Sequence, residues 1–302
     1  MDTLERITVG VGLHSRTGVP DAGSVQAARQ AAWVSAKTGA HVALVHAAWA
    51  EDGSGPVELH SKAMDELDQL ATSMAIDGAR VSIDVVEEYP WLALCRRAIR
   101  GDAEMILAGK RATTETGRRR VGSTAVKLLR KCPAPVWLVK PDHDLTYRHV
   151  LAATDLSPVS DAVLAASAWV SSRSDGELHV LHAWNLSWGE QRAAADLSED
   201  DYSAKVEEVR ARALASLERQ ADTLDVDPTL HLERGDAHIE IMEKVEHEHP
   251  DLLVIGSLSK GGRAGFDVGT IAERVLEQVD ESLLTFKPND FVCPVVPDQA
   301  GS

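Results

Sequence analysis

The chain has 302 residues, 44% of them apolar and 26% charged, enough hydrophobic material for two domain-sized cores and too much for wholesale disorder. Its formal net charge of −16 is uneven: residues 1–147 carry 18 Lys and Arg against 18 Asp and Glu, residues 148–302 carry 13 against 29, and so acidic a surface repels nucleic acid phosphates. No run approaches the roughly 20 apolar residues of a membrane span, and Met1 to Arg6 leads straight into a strand-like segment, so the expected location is the cytoplasm, with no membrane insertion.

In chain order, the first strand candidate is Ile7 to Val11, followed by a helical pattern over Ser24 to Lys37 that ends at Thr38-Gly39. A strand over His41 to Ala47, a helix over Leu59 to Ile76, a strand over Val81 to Glu87 and a helix over Trp91 to Arg100 come next. Met105 to Ala108, a helix over Ser123 to Lys131 and Val136 to Val139 complete the series. The same order then returns. Strands are expected near Val150 to Thr154, Leu178 to Ala183, Leu230 to Arg234, Leu252 to Ile255 and Leu283 to Phe286. Helices are expected near Asp161 to Ser172, Ala204 to Leu224, Ala237 to His249 and Ile271 to Val279.

This return is a duplication. Ala32-Trp33-Val34-Ser35 recurs as Ala168-Trp169-Val170-Ser171, and Leu44-Val45-His46-Ala47 lies over Val180-Leu181-His182-Ala183 in the same register. Farther on the register lengthens: Ile106-Leu107-Ala108-Gly109 matches Leu253-Val254-Ile255-Gly256, Gly122-Ser123 matches Gly269-Thr270, and Lys140-Pro141 matches Lys287-Pro288. The second copy therefore has a longer connection around Trp184 to Tyr202. Repeated strand, long helix and strand gives right-handed crossovers and a parallel sheet covered on both faces, so the expected fold is two doubly wound α/β domains, residues 1–146 and 147–302. Ligands of such sheets bind beyond the carboxyl ends of the strands, which directs attention to the loops after the first and fourth strands of each copy.

After its fourth strand the first copy has Gly109-Lys110-Arg111-Ala112, nine residues, then Gly122-Ser123-Thr124; the second has Gly256-Ser257-Leu258-Ser259, nine residues, then Gly269-Thr270-Ile271. A strand-end Gly allows close backbone approach, and a helix opening with Gly and a hydroxyl residue offers N–H groups to a phosphate. Helix capping is the plain alternative for Ser123 and Thr270.

On these residues the chain resembles the universal stress protein family, whose nucleotide-binding members pair an Asp at the end of strand one with Gly, two residues, Gly, nine residues, then Gly and Ser or Thr. Lys127 to Lys140 is similar to the tandem E-type of that family, and the likeness covers essentially the whole chain. The resemblance implies two five-stranded sheets of order 3-2-1-4-5, paired within the chain about a pseudo-twofold through their last strands. It implies a stress-response or regulatory protein rather than an enzyme, with ATP or another adenine nucleotide as the candidate ligand and no required cofactor. Carried over residue by residue, the nucleotide site consists of Asp155, Gly256, Ser259, Gly269, Thr270 and Ile271, with Ser259 in place of the second Gly. In the first copy Gly12 replaces the Asp and Ala112 that same Gly, so the second copy is expected to be the better preserved. An interaction scaffold with empty pockets, a pocket for a non-nucleotide small molecule, slow ATP hydrolysis and further homo-oligomerisation all stay open.

Other features have plain explanations. Gly10-Val11-Gly12 lacks the third glycine of a dinucleotide loop, where Ser15 stands. His46 and His182 read as strand-end histidines with a satisfied hydrogen bond. His247-Glu248-His249, and His231 with His238, do not converge on one ion at those spacings, so no metal site is expected. Trp49, Trp184 and Trp188 read as packing of a long surface loop, Arg118-Arg119-Arg120 as a solvated loop, and Cys95, Cys132 and Cys293 as reduced, mostly structural thiols. No Walker-type loop, nucleophile elbow or carboxylate cluster for catalysis is found.

Overall fold

The computed structural model describes residues 1–14, 17–48, 56–76, 78–110, 122–194, 197–257 and 271–296. The first half runs β1 (Arg6–Gly10), α1 (Ala22–Thr38), β2 (His41–Ala47), α2 (Pro56–Ile76), β3 (Arg80–Val86), α3 (Pro90–Arg100), β4 (Met105–Gly109), α4 (Ser123–Lys131) and β5 (Val136–Val139). The second runs β6 (His149–Ala153), α5 (Val159–Arg173), β7 (Glu177–Trp184), α6 (Trp188–Ala194), α7 (Glu199–Ala221), β8 (Thr229–Arg234), α8 (Ala237–Glu248), β9 (Leu252–Gly256), α9 (Ile271–Gln278) and β10 (Ser282–Phe286).

Each half is a parallel sheet with the expected order, and the two join into a single 10-stranded sheet, β3-β2-β1-β4-β5-β10-β9-β6-β7-β8. The join is antiparallel, with Leu138 opposite Leu283, Trp137 opposite Leu284 and Val136 opposite Thr285. Trp137 and Leu284 occupy equivalent places in the repeat, as a twofold relation requires of residues on its axis. The repeated tryptophans obey the same rule: Trp33 on α1 meets Trp169 on α5 edge to face, with ring centroids 5.7 Å apart.

The hydrophobic cores follow the faces of this sheet rather than its halves. Along β5, Trp137 and Val139 enter the core covered by α1, α2, α5 and α7; Val136 and Leu138 enter the core covered by α3, α4, α8 and α9. This is the period-two alternation of a strand buried on both sides.

The longer connection of the second copy holds a helix the hydrophobic pattern does not announce. Ser187 and Glu190 form a reciprocal capping box that starts α6: the Ser187 N–H donates to Glu190 Oε2 at 2.8 Å, and the Glu190 N–H to Ser187 Oγ at 3.3 Å. The next helix starts at Glu199, not near Ala204, because Ser198 caps it and Glu199, Asp200 and Asp201 fill its first turn, where carboxylates complement the helix dipole.

Candidate functional site

The two crevices lie where expected, above the carboxyl ends of β1 and β4 in one half and of β6 and β9 in the other. In the second half Asp155, Gly256 and Ile271 border a cavity of about 50 Å³, together with Thr154, Ser160 and Ser257. Asp155 and Ala183 also border an open hollow of about 580 Å³ that runs past Trp184 and Asn185 to Arg212 and Arg219 on α7. Of the six residues assigned to the site by resemblance, these three therefore share one cavity; Ser259, Gly269 and Thr270 lie outside the described residues, as do Ala112 and Arg118-Arg119-Arg120 of the first copy.

Asp155 is held by its own turn. Its Oδ1 accepts the Ser157 N–H at 3.0 Å and the Ser160 hydroxyl at 3.4 Å, while Thr154 Oγ1 donates to Ser160 Oγ at 2.6 Å. A side chain anchored in this way cannot swing away from the strand end, which orients it for a ligand at little entropic cost. At the far wall of the hollow, the Ser187 hydroxyl and N–H, followed by Arg212, hold the Glu190 carboxyl down at about 2, so it is an anion at any physiological pH.

The first half has a crevice of about 290 Å³, larger than the 50 Å³ cavity but smaller than the open hollow of the second half, walled by Gly12, Asp21, Lys110, Gly122 and Thr124 and closed on one side by Leu276, Val279 and Asp280 of the other half. The carboxylate missing at Gly12 has a neighbour in its place. A Cβ built on Gly12 would lie 2.7 Å from Asp21 Oδ2, so the N-cap carboxylate of α1 stands beside the strand end where Gly12 has no side chain. There Asp21 Oδ1 accepts the Ser24 N–H at 2.8 Å, and Ser24 Oγ accepts the Gly12 N–H at 2.8 Å. Sequence reasoning missed Asp21; the signal was an Asp three residues ahead of Ser24 at a helix start.

Lys110 in the loop after β4 does not turn to its own crevice alone. Its Nζ donates to the carbonyls of Val279 and Glu281, each at 2.8 Å, a cation set against the carboxyl end of α9. Gly109 also has a packing duty: a Cβ there would come within 2.1 Å of the Gly23 backbone, where α1 crosses the strand end. His46 Nδ1 donates to the Val11 carbonyl and His182 Nδ1 to the Thr154 carbonyl, both at 2.9 Å. The equivalent histidines thus make the same strand-end hydrogen bond. Trp184 packs with Leu186 and Val209 beneath the α6–α7 segment, as a loop-packing side chain should; Trp49 lies outside the described residues, as does the side chain of Trp188.

The three cysteines, distant in sequence, gather beside the join of the halves. Cys95 and Cys132 are buried in the same core as free thiols. Their mutual hydrogen bond raises Cys95 and lowers Cys132 from the ordinary thiol value. The Cys293 thiol donates to the Lys131 carbonyl at 3.0 Å, and burial in the same place pushes Lys287 down to about 8.

No helix among the described residues is long and apolar enough to cross a membrane. The family model described as "Universal stress protein family" matches residues 5–140 and again 146–287. Among curated proteins, the chain is 24% identical over 235 residues to Universal stress protein E of Photorhabdus laumondii, and 25% over 228 residues to that of Escherichia coli strain K12; each alignment covers 72% of both chains. Among solved structures, a functionally unknown protein of Pseudomonas aeruginosa PAO1 superposes with a TM-score of 0.66 at 20% identity, covering 96% of this chain and 94% of that one. A universal stress protein of Archaeoglobus fulgidus gives 0.65 at 17%, covering 93% and 98%. Two family matches, one on each half of a continuous sheet whose equivalent residues meet at the join, lead to one conclusion: the chain belongs to the universal stress protein family, as a tandem of two of its domains.

Proposed function

We propose that this chain is a non-catalytic stress-response protein that binds an adenine nucleotide in the crevice of its second half. The observation that carries this reading is the anchored Asp155 carboxylate at the end of β6, facing both a small cavity beside Gly256 and Ile271 and an open hollow beyond β7. A carboxylate at that point accepts hydrogen bonds from ribose hydroxyls or a base amine. The strand-end Gly256 and the start of α9 present backbone to phosphates. Regulation by binding, rather than turnover, agrees with side chains already committed: His182 Nδ1 to the Thr154 carbonyl and Asp155 Oδ1 to Ser157.

The crevice of the first half, more enclosed than the open hollow beside Asp155, supports a second reading, in which the ligand sits there against Asp21 and Lys110. Calorimetric titration with ATP, ADP and AMP separates the two. Asp155→Ala is expected to weaken binding at least tenfold, and Thr124→Trp, which fills the first crevice, to leave it unchanged. The reverse result moves the site to the first half. Equal affinity in both variants and wild type overturns the nucleotide reading, and phosphate release above that of a Gly269→Val variant overturns the non-catalytic one.

A further inference from the structure

Far from both crevices, at the outer edge of the second half's sheet, three side chains from three elements converge. His179 stands on β7 and His231 on β8, the edge strand. Glu248 ends α8. The imidazoles stack 16° from parallel with centroids 5.2 Å apart. His179 Nδ1 lies 3.0 Å from His231 Nε2 and 2.7 Å from Glu248 Oε2, and His231 Nε2 lies 3.7 Å from Glu248 Oε1. All three side chains are largely shielded, at 21%, 16% and 28% exposure.

Protons alone serve this arrangement poorly. His179 Nδ1 is within hydrogen-bond distance of both an imidazole nitrogen and a carboxylate oxygen, but it has either one proton or one lone pair. If it donates to Glu248, it opposes His231 Nε2 with a proton wherever that nitrogen also has one. That nitrogen does have one: Lys244 Nζ, 3.1 Å from His231 Nδ1, can only donate, so Nδ1 is the acceptor and the ring proton sits on Nε2. A cation in the middle removes the conflict, because both nitrogens and the carboxylate then direct lone pairs at it.

We propose that His179 Nδ1, His231 Nε2 and the Glu248 carboxylate bind one divalent transition ion of the zinc class. Around a tetrahedral ion with bonds of about 2.0–2.1 Å, neighbouring donors stand about 3.3 Å apart, and the separations here bracket that value. Three protein ligands leave the fourth position to water. The surroundings fit as well. The Glu177 carboxylate lies 3.8 Å from His179 Nε2, near the nitrogen that keeps its proton when Nδ1 binds a metal.

Lys244 gives the site its distinctive property. Its ammonium lies 3.1 Å from His231 Nδ1, 3.3 Å from Glu248 Oε1 and 3.9 Å from Glu233 Oε1, so in the metal-free protein it supplies the positive charge that the ion would bring. When Nε2 takes the ion, the proton of His231 moves to Nδ1, and Lys244 has to turn toward Glu233. Lys244 is therefore a competitor for the site, and removing it should improve binding. Histidine spacing along the chain hides this set, because His179 and His231 are 52 residues apart and meet only where β7 pairs with β8.

The test uses the full chain, stripped with a chelator and titrated with zinc, then with cobalt as a spectroscopic probe. We expect one equivalent per chain, at least tenfold weaker binding in His179→Gln, His231→Gln and Glu248→Gln, and at least threefold tighter binding in Lys244→Met. The cobalt spectrum should show nitrogen and oxygen ligands only. Zinc affinity unchanged in the three glutamine variants would overturn the proposal, as would sulfur-to-cobalt charge-transfer bands, which would place the ion on the cysteines. A misfolded variant cannot mimic the gain in Lys244→Met.

Discussion

Single positions carry different loads in this fold, and the clearest contrast is between two glycines. A Cβ at Gly109 would meet the Gly23 backbone at 2.1 Å, whereas one at Gly189 would meet nothing within 4 Å. Backbone cannot step aside as a flexible side chain can, so Gly109→Ala should lower the unfolding free energy by about 1–3 kcal/mol. Gly189→Ala, inside α6, should be neutral or raise it by up to about 1 kcal/mol; urea denaturation of both variants checks the pair. Lys287 makes a pH-dependent case. Burial holds its folded-state pKa at about 8 against 10.5 for an ordinary lysine, so between those values the unfolded chain binds more protons and stability contributed by this residue rises with pH. Below about pH 8 the cost of the buried ammonium is present in full. Relative to Lys287→Met, which removes the titration, wild type should gain roughly 1–2 kcal/mol between about pH 7.5 and pH 9.5. A flat difference across that range would show that Lys287 is solvated.

Between elements, a bidentate ion pair joins the halves through α4 and α9. Arg130 Nε donates to Glu273 Oε1 at 2.7 Å and Nη2 to Oε2 at 2.9 Å, a bidentate pair whose carboxylate is only 9% exposed and whose hydrogen bonds raise the Arg130 pKa. A double-mutant cycle on Arg130→Ala and Glu273→Ala is expected to give a coupling of about 1–3 kcal/mol, and Arg130→Lys to recover little of it, because an ammonium cannot form the fork. A coupling within ~0.3 kcal/mol of zero would make the pair ornamental. The element level is also where the sequence was most legible. Ten short aliphatic runs and the repeat of Ala-Trp-Val-Ser point to the strands and the duplication, since period and recurrence are local signals, whereas the strand order came only with the family resemblance. What stayed hidden depended on capping or on distant partners. Ser187 with Glu190 starts a helix without a hydrophobic stripe, Asp21 substitutes in space for an acid absent at Gly12, and His179 finds His231 only once β7 and β8 are neighbours.

Across the whole molecule, the two cores lie on opposite faces of one sheet and each runs through both halves, so the halves cannot lose structure independently. Val136, Trp137, Leu138 and Val139 of β5 are all at or below 1% exposure because β10 covers their edge and helices cover their faces. The fully buried Trp137 also packs on Tyr147, at 5.5 Å between ring centroids, in the segment that leads to the second half. Two domains joined by a linker and a wet interface would unfold in two steps; a shared core predicts one. Urea unfolding of the full chain should therefore give a single transition, coincident by tryptophan fluorescence and far-UV circular dichroism. The same reasoning fixes the fate of the first half alone. A fragment of residues 1–146 leaves β5 as an open, apolar edge, which is a template for pairing with another copy. Its repeat equivalent, β10, pairs antiparallel with that edge in the intact chain, so a second fragment can take the place of β10 through the same twofold geometry. The fragment is expected to sediment as a dimer or larger species at concentrations where the full chain, with both edges occupied by each other, shows no association through β5. A monomeric, folded fragment would mean that the join of the two sheets adds little to either half.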